Sequence, residues 1–497
     1  MDAFTTGTVK KIDFIERDNN VVPKAMQQVF EDMQYNLAWF AGDQEALKHR
    51  YKGEGKHYFW SRVANKPVPA YHLPLPAAIS QLASDYLFGE ETKFLIKGDG
   101  DQLAQAQQIA LNVMLDNANM DSLLTESGEI ASAAGGVVFK VIVDGELSNR
   151  PIIVLVKPDD AIVTFKHGIV TNIRFTHKLE KMNDDRYVWL VEDYNNRGEI
   201  VSTIHEGTAS GNMTKERPEL LERYEIEPVF RTGYDGLAAV YIPNRRPNRK
   251  FLASGFGASD YQGVRQMFDS LDETYTSWIN DIRLAKGRLH IPETFIDYDE
   301  DGKSAFDMDN DIYRKLSGAA AMGDSSADKF AITQFAIRSD DFYKACIFIV
   351  QQIITTIGYS TQSFGITSET SQTATESNNR ERKSYLTTSK KRRHFERGLK
   401  QLIDIMRATA NEHFGAGFDM SLPVTVDFGD AVESDVSQLA TVIDMLFRAQ
   451  SASIETRVRY FNPSWTDEEV REEVEKIREE NGLNAGSFSS VIDQSGV

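Results

Sequence analysis

Four groups of residues have types and spacings that could do chemistry. The sharpest is DYDEDGKSAFDMDND, where Asp297, Asp299 and Asp301 followed by Gly302 match the first positions of a calcium-binding EF-hand loop. The twelfth position should supply a bidentate glutamate and is instead Met308, and the flanks read as strand, so a solvated acidic hairpin is the stronger expectation and no metal or cofactor is assigned. Lys390, Lys391, Arg392 and Arg393 belong to a tract, 380–400, that holds nine Lys/Arg against Glu381 and Glu396. Such a tract serves an intersubunit contact, a nucleic acid or simply a solvated helix face. The single cysteine, Cys346, sits among apolar neighbours and reads as a core thiol, with no second thiol for an internal disulfide. The nine histidines show no metal-ligand spacing. No GxxxxGK[ST] phosphate loop, HExxH, paired CxxC or GxSxG occurs, so the sequence offers no catalytic constellation and the expectation is a protein that is not an enzyme.

The elements that must position these residues fall in a definite order. With 41% hydrophobic and 26% charged residues, the 497-residue chain has the composition of a folded protein of more than one domain. No stretch suits a membrane span, and the charged N-terminus reads as no secretory signal. Helical periodicity runs through Pro23 to His49, LPLPAAISQLASDYLFGE up to Gly89, Gln102 to Asp116 and Asp121 to Ala134. From Gly136 to Ile242 short β-branched and aromatic runs, with turns at Asp144-Gly145, Lys166 to Gly168 and Asn195 to Gly198, predict an antiparallel sheet. Gly211 to Pro218 reads as a polar loop. A long helix capped by Ser259 or Asp260 is predicted next, about 45 Å long, with a seam of Tyr261, Val264, Phe268, Leu271, Tyr275, Trp278 and Ile282. Its polar flank is acidic early, at Asp269, Asp272 and Glu273, and basic late, at Arg283, Lys286 and Arg288.

After a compact insertion, DDFYKACIFIVQQIITTIGY predicts a returning helix, apolar on most faces, with Ile349 and Ile353 in its packing stripe. A loop rich in Gly, Ser and Thr, a third long helix to about His413, a short strand (LPVTVDF) and C-terminal helices follow. Two helices with a small domain between them make a projection that cannot bury itself alone. Identical copies packed side by side would bury it, and a heterologous interface with closed rotation makes a ring. The net charge of −19 argues against a protein that grips phosphate, but suits a wall past which a duplex slides.

Four stretches carry a resemblance over most of the chain: SDYLFGE; ASAAGGVVFKVIVDGE; PNRRPNRK through GASDYQGVRQMFDSLDETYTSWINDIRLAKGRLHIP; and TATESNNRERKSYLTTSKKRRHFERGLKQL. The sequence resembles the portal proteins of tailed bacteriophages, specifically siphophage proteins of the actinobacteriophage-like kind. That resemblance implies an α+β fold with portal architecture: a wing of helices plus antiparallel sheet, a two-helix stem, a small α/β clip, a long wing helix and a helical crown. It places the wing at 1–258, the first stem helix at 259–288, the clip at 289–338 and the second stem helix at 339–358. The tunnel loop follows at 359–372, the long wing helix and strand at 373–432, the crown at 433–482 and a flexible tail at 483–497.

It further implies a homododecameric ring forming a DNA channel at one capsid vertex of the virion, assembled in the host cytoplasm, for DNA packaging and genome ejection. The implied partners are duplex DNA, the terminase large subunit, a head–tail adaptor, and the major capsid and scaffolding proteins, with no membrane. On this reading Gln362, Ser363, Phe364, Thr367 and Glu369 face the channel, and Arg283, Lys286 and Arg288 form a basic ring. Phe268, Leu271, Tyr275, Trp278, Ile282, Ile349 and Ile353 pack the stem. The alternative is an oligomeric virion scaffold or adaptor without a channel.

Overall fold

The computed structural model describes residues 24–51, 59–61, 69–98, 102–183, 185–208, 211, 213–285, 288–290, 331–333, 337–366, 374–429, 443–449, 451–462, 465 and 467–480. Helices α1 (Lys24–Ala41), α2 (Gln44–Tyr51) and α3 (Leu75–Phe88) precede strand β1 (Lys93–Ile96). Helices α4 (Gln102–Asn117) and α5 (Met120–Ala134) then lead into β2 (Gly136–Ile142), β3 (Ile152–Val156), β4 (Ala161–Lys166), β5 (Ile169–Asn183), β6 (Arg186–Asn195), β7 (Glu199–Thr208) and β8 (Met213–Glu216). The short α6 (Glu219–Arg223) is followed by β9 (Val229–Arg231) and β10 (Ala239–Pro243). Helix α7 (Arg265–Leu284), strands β11 (Arg288–His290) and β12 (Ala331–Thr333), and α8 (Ser339–Ile357) come next. Helix α9 (Ala374–Phe414) and β13 (Val424–Asp427) complete the first of two compact units, which ends at Asp427. The second unit, from Phe428 on, holds helices Ile454–Phe461 and Asp467–Glu480 around Val458, Val470 and Val474. Ser453 caps the first of these by accepting from the Thr456 amide at 3.1 Å.

The fold is α+β with antiparallel sheets. Strand order is β10-β2-β3 in one sheet and β4-β5-β6-β7-β8 in another, where β9 also pairs with β7. The segment 213–216, expected as loop, is strand β8: it lies on the edge of the sheet, so its polar residues need no buried face and show no alternation. Strand β1 pairs with β13 across most of the chain, a contact no local pattern announces.

Two glycines set the joints that matter below. Gly135 ends α5 in the left-handed region at φ +98°, and a Cβ there would stand 2.9 Å from the Ser259 amide nitrogen. Gly358 ends α8 at φ +97°, with a Cβ position 2.8 Å from Thr387 Oγ1. The main core gathers Trp39, Leu47, Trp60 and Ile79 from the N-terminal helices and loops. It joins them to Tyr261, Phe268 and Leu271 around the start of α7, and to Ile353, Ile354 and Ile357 at the end of α8.

A buried charge cluster ties the two larger sheets together. Lys140 on β2 reaches Glu192 on β6 at 2.8 Å, and His177 on β5 lies 3.0 Å from the same carboxylate. Burial works to raise the Glu192 pKa, but the hydrogen bonds and charges of His177 and Lys140 outweigh it and bring it down to about 2. A depressed carboxylate stabilises the fold above its unfolded pKa. The contribution should therefore be intact above pH 4.5 and decline as the pH falls towards about 2. Lys140→Met should cost about 3 kcal/mol at neutral pH and flatten that acid limb. Denaturant melts from neutral to acid pH with the same slope in both proteins would remove the cluster from the account.

Candidate functional site

The two helices expected to project from the body, α7 and α8, pack against each other, and burial falls along them. At the base, Phe268, Leu271 and Ile353 are buried, and Ile349 is half-buried. Further out Tyr275 and Trp278 are half-buried in edge contact at 6.3 Å, and Ile282 is 42% exposed. Leu284, Tyr343 and Phe348 are 54%, 58% and 60% exposed. Cys346 is half-buried against the same core, and burial pushes its thiol pKa up.

Helix α7 starts at Arg265 rather than at Ser259, because Gly263 holds φ +91°, outside the helical region, and Val264 takes the cap position. Ser259 and Asp260, expected as caps, are buried and work elsewhere. Asp269 and Asp272, expected on a polar flank, are also buried. Asp269 accepts from the amides of Phe59 at 2.8 Å and Trp60 at 3.4 Å, and its pKa is raised, chiefly by burial. Asp272 accepts from the Leu73 amide at 2.9 Å and Trp60 Nε1 at 3.2 Å, and lies 2.8 Å from His72 Nδ1. The two carboxylates clamp the segments around Trp60 and Leu73 onto α7. Each satisfies backbone donors that burial would otherwise strand.

Of the residues expected to face a channel, only Gln362, Ser363 and Phe364 fall among the described residues. Residues 359–366, expected as loop, are folded onto the body. Tyr359 and Ser360 are buried, and Gln362–Phe364 form a single 3-10 turn. Ser363 Oγ lies 2.8 Å from Tyr86 Oη and 3.1 Å from Ser384 Oγ, while Phe364 packs on the main core. Thr367 and Glu369 lie outside the described residues, as do Lys286, the acidic run of Asp297, Asp299 and Asp301, and most of 289–338. Arg283 is exposed, and its guanidinium bonds the Tyr71 hydroxyl and covers the Tyr71 ring at 5.5 Å. Arg288 opens β11, opposite Thr333 of β12. Among the described residues no group of three or more His, Cys, Asp or Glu is placed to hold a metal ion, and no helix is long and apolar enough to cross a membrane.

The basic tract divides sharply. Lys390 and Arg393 are exposed, whereas Arg392 is half-buried and donates to the Tyr86 carbonyl at 3.2 Å. Lys391, expected with its neighbours in an intersubunit tract, is buried with Asp260. The side chains are 2% and 0% exposed, and Lys391 Nζ bonds both Asp260 Oδ2 and, at 3.1 Å, the Tyr359 hydroxyl. Ser132 Oγ donates to Asp260 Oδ2 at 2.7 Å and Asn244 Nδ2 to Oδ1 at 3.1 Å. Burial opposes the Asp260 charge, but Lys391, Arg245 and the Ser132 bond outweigh it and hold its pKa below the carboxylate range. Sequence reasoning missed this pair, whose members stand 131 residues apart. The one local signal is that Lys391 falls in the helical phase of Phe395, Leu399 and Leu402, all buried. Lys391→Met should strand a buried carboxylate and cost about 3–5 kcal/mol. Adding Asp260→Asn should recover a large part of that loss, as read from urea melts; a double variant no more stable than the single would show that the pair does not act as a unit.

The chain matches a family model described as "Phage portal protein, SPP1 Gp6-like" over residues 24–486. No curated protein sequence matches it. Among solved structures, a chain from the "Neck of native GTA particle computed with C12 symmetry" is similar at a TM-score of 0.40 and 11% sequence identity, covering 81% of this chain and 89% of that one. The family match spans both compact units and every candidate residue discussed above, and the chain belongs to the SPP1 Gp6-like family of phage portal proteins.

Proposed function

We propose that twelve copies of this portal protein form a ring around a DNA channel at one capsid vertex, through which the genome is packed and later ejected. In this reading 1–258 and 373–432 are wing, 259–288 and 339–358 the stem, 289–338 the clip, 359–372 the tunnel loop, 433–482 the crown and 483–497 a tail. The clip end meets the terminase large subunit during packaging and the head–tail adaptor afterwards, and the wing meets capsid and scaffolding proteins. The role is structural, with no reaction assigned to any residue.

The observation that carries the proposal is the uncovered outer half of the helix pair. Ile282, Leu284, Tyr343 and Phe348 on the two helices, with Ile337 just ahead of α8, are 42–60% exposed in one chain, apolar surface that packing against further copies would bury. Copies arranged around an axis cover it, which a closed ring does with one repeated contact. The net charge of −19, repeated around the ring, favours passage over adhesion of phosphate. Arg283, with Lys286 and Arg288, supplies the basic positions nearest the clip, and Gln362, Ser363 and Phe364, with Thr367 and Glu369, the loop nearest the duplex.

Mass measurement and negative-stain imaging of the purified protein should show rings of about twelve subunits with a hole wide enough for a ~20 Å duplex. Tyr343→Asp with Phe348→Asp should abolish rings while shifting monomer stability by no more than about 0.5 kcal/mol, since both positions are exposed. A small closed dimer that buries α8 would instead point to an adaptor without a channel.

A further inference from the structure

Among the described side chains of helix α9, four exposed cations share one stripe. Arg382, Lys390, Arg393 and Arg397 are exposed, with Leu386, 54% exposed, filling the gap. The steps of four, four, three and four residues keep all five on the side away from the buried Ser384, Lys391, Phe395 and Leu399. None of the four cations has a hydrogen-bond or ion-pair partner among the described residues.

A complementary patch lies in the same helical layer. Helix α3 packs on both α5 and α9, and Gly128 of α5 is so close to α3 that a Cβ there would stand 2.6 Å from Ser84 Oγ. Across this joint sit Asp85 and Glu126, exposed, and Glu129, half-buried, none with a cation beside it among the described residues. Burial raises the pKa of Glu129, and the charges of Asp85 and Glu126 raise it further, as expected of carboxylates that repel one another. The stripe and the patch thus belong to helices of one chain that pack together through α3, yet they do not pair with each other.

We propose that the α9 stripe of one copy seats on the Asp85–Glu126–Glu129 patch of the next copy. This deepens and rests on the ring reading above, naming the surface by which adjacent wings meet. A heterologous contact joins different patches of the same chain, and opposite charges on two such patches fix register and reject like-to-like pairing. A second copy fits the stripe better than a nucleic acid does. Phosphates gain nothing from the exposed Leu386, and they would meet the unpaired carboxylates of the same layer.

The test uses the full chain, with assembly followed by mass photometry against protein concentration. Arg393→Glu/Arg397→Glu and Asp85→Lys/Glu126→Lys should each raise the concentration needed for rings by about tenfold. The four substitutions in one chain should bring it back towards wild type. Lys166→Glu/Arg197→Glu, exposed positions outside both patches, should leave assembly unchanged, and melting curves should show every variant folded. Rings that form normally in both reversed variants, or a combined variant no better than either pair, would overturn the proposal while leaving the ring intact. So would intact rings in Arg393→Glu/Arg397→Glu accompanied by loss of binding to a short DNA duplex, which would make the stripe a nucleic-acid surface. A wild-type chain that forms no ring at any concentration would remove the ring reading and this contact together.

Discussion

The arrangement of the first unit turns on one ion pair buried from water. Lys391 on α9 and Asp260 ahead of α7 bring together segments far apart in sequence: the end of α5 through Ser132, the turn at Asn244, the entry to α7, and Tyr359 just beyond α8. Taking two charges out of water costs several kcal/mol per ion, and the attraction between them offsets this only when every remaining donor and acceptor is met. That requirement makes the pair a device for geometry more than for stability. The carboxylate ahead of α7 is satisfied by a lysine inside α9, so the start of α7 is positioned together with that helix.

Around that point the polar groups act in the same way. Asp269 and Asp272 are carboxylates spent on the amides of Phe59, Trp60 and Leu73 and the Trp60 indole, while Thr276 takes the Tyr71 amide, so the N-terminal segments are held to the root of α7 rather than merely packed on it. Tyr261 adds a further tie, its hydroxyl donating to the Pro76 carbonyl at 2.7 Å and lying 2.6 Å from Ser80 Oγ. The root of the projection is therefore rigid by hydrogen bonding as well as by the surrounding core. Its outer half exposes Ile282, Leu284, Tyr343 and Phe348 among charged residues such as Asp281, Arg283 and Lys344, an asymmetry between a braced end and an exposed one.

Charge follows the same division of labour. Among its described residues, a chain of net charge −19 buries the cations Lys140, Lys391 and Arg407 and displays others on a single face of α9. Cations scattered evenly over the surface would soften its acidity without giving it direction. Gathered on one stripe, they make two sides of the same layer unlike each other, which a closed ring needs and a two-fold dimer does not.

By itself the sequence determined what rests on local physics. The 3.6-residue stripes of α3, α4, α5 and α9, the alternating strands with turns at Gly168 and Gly198, and the apolar returning helix up to Gly358 are all visible because side-chain period and backbone freedom are properties of neighbouring residues. The family could also be read there, from the stretch around GASDYQGVRQMFDSLDETYTSW. Tertiary structure alone decided the fate of individual charges. Asp260 read as a helix cap, Asp272 as a solvated flank and Lys391 as part of a surface tract, yet all three are buried. The reason is that a charge's environment depends on partners such as Ser132, His72 and Tyr359, which lie tens to hundreds of residues away, and a sequence read by spacing carries no record of them.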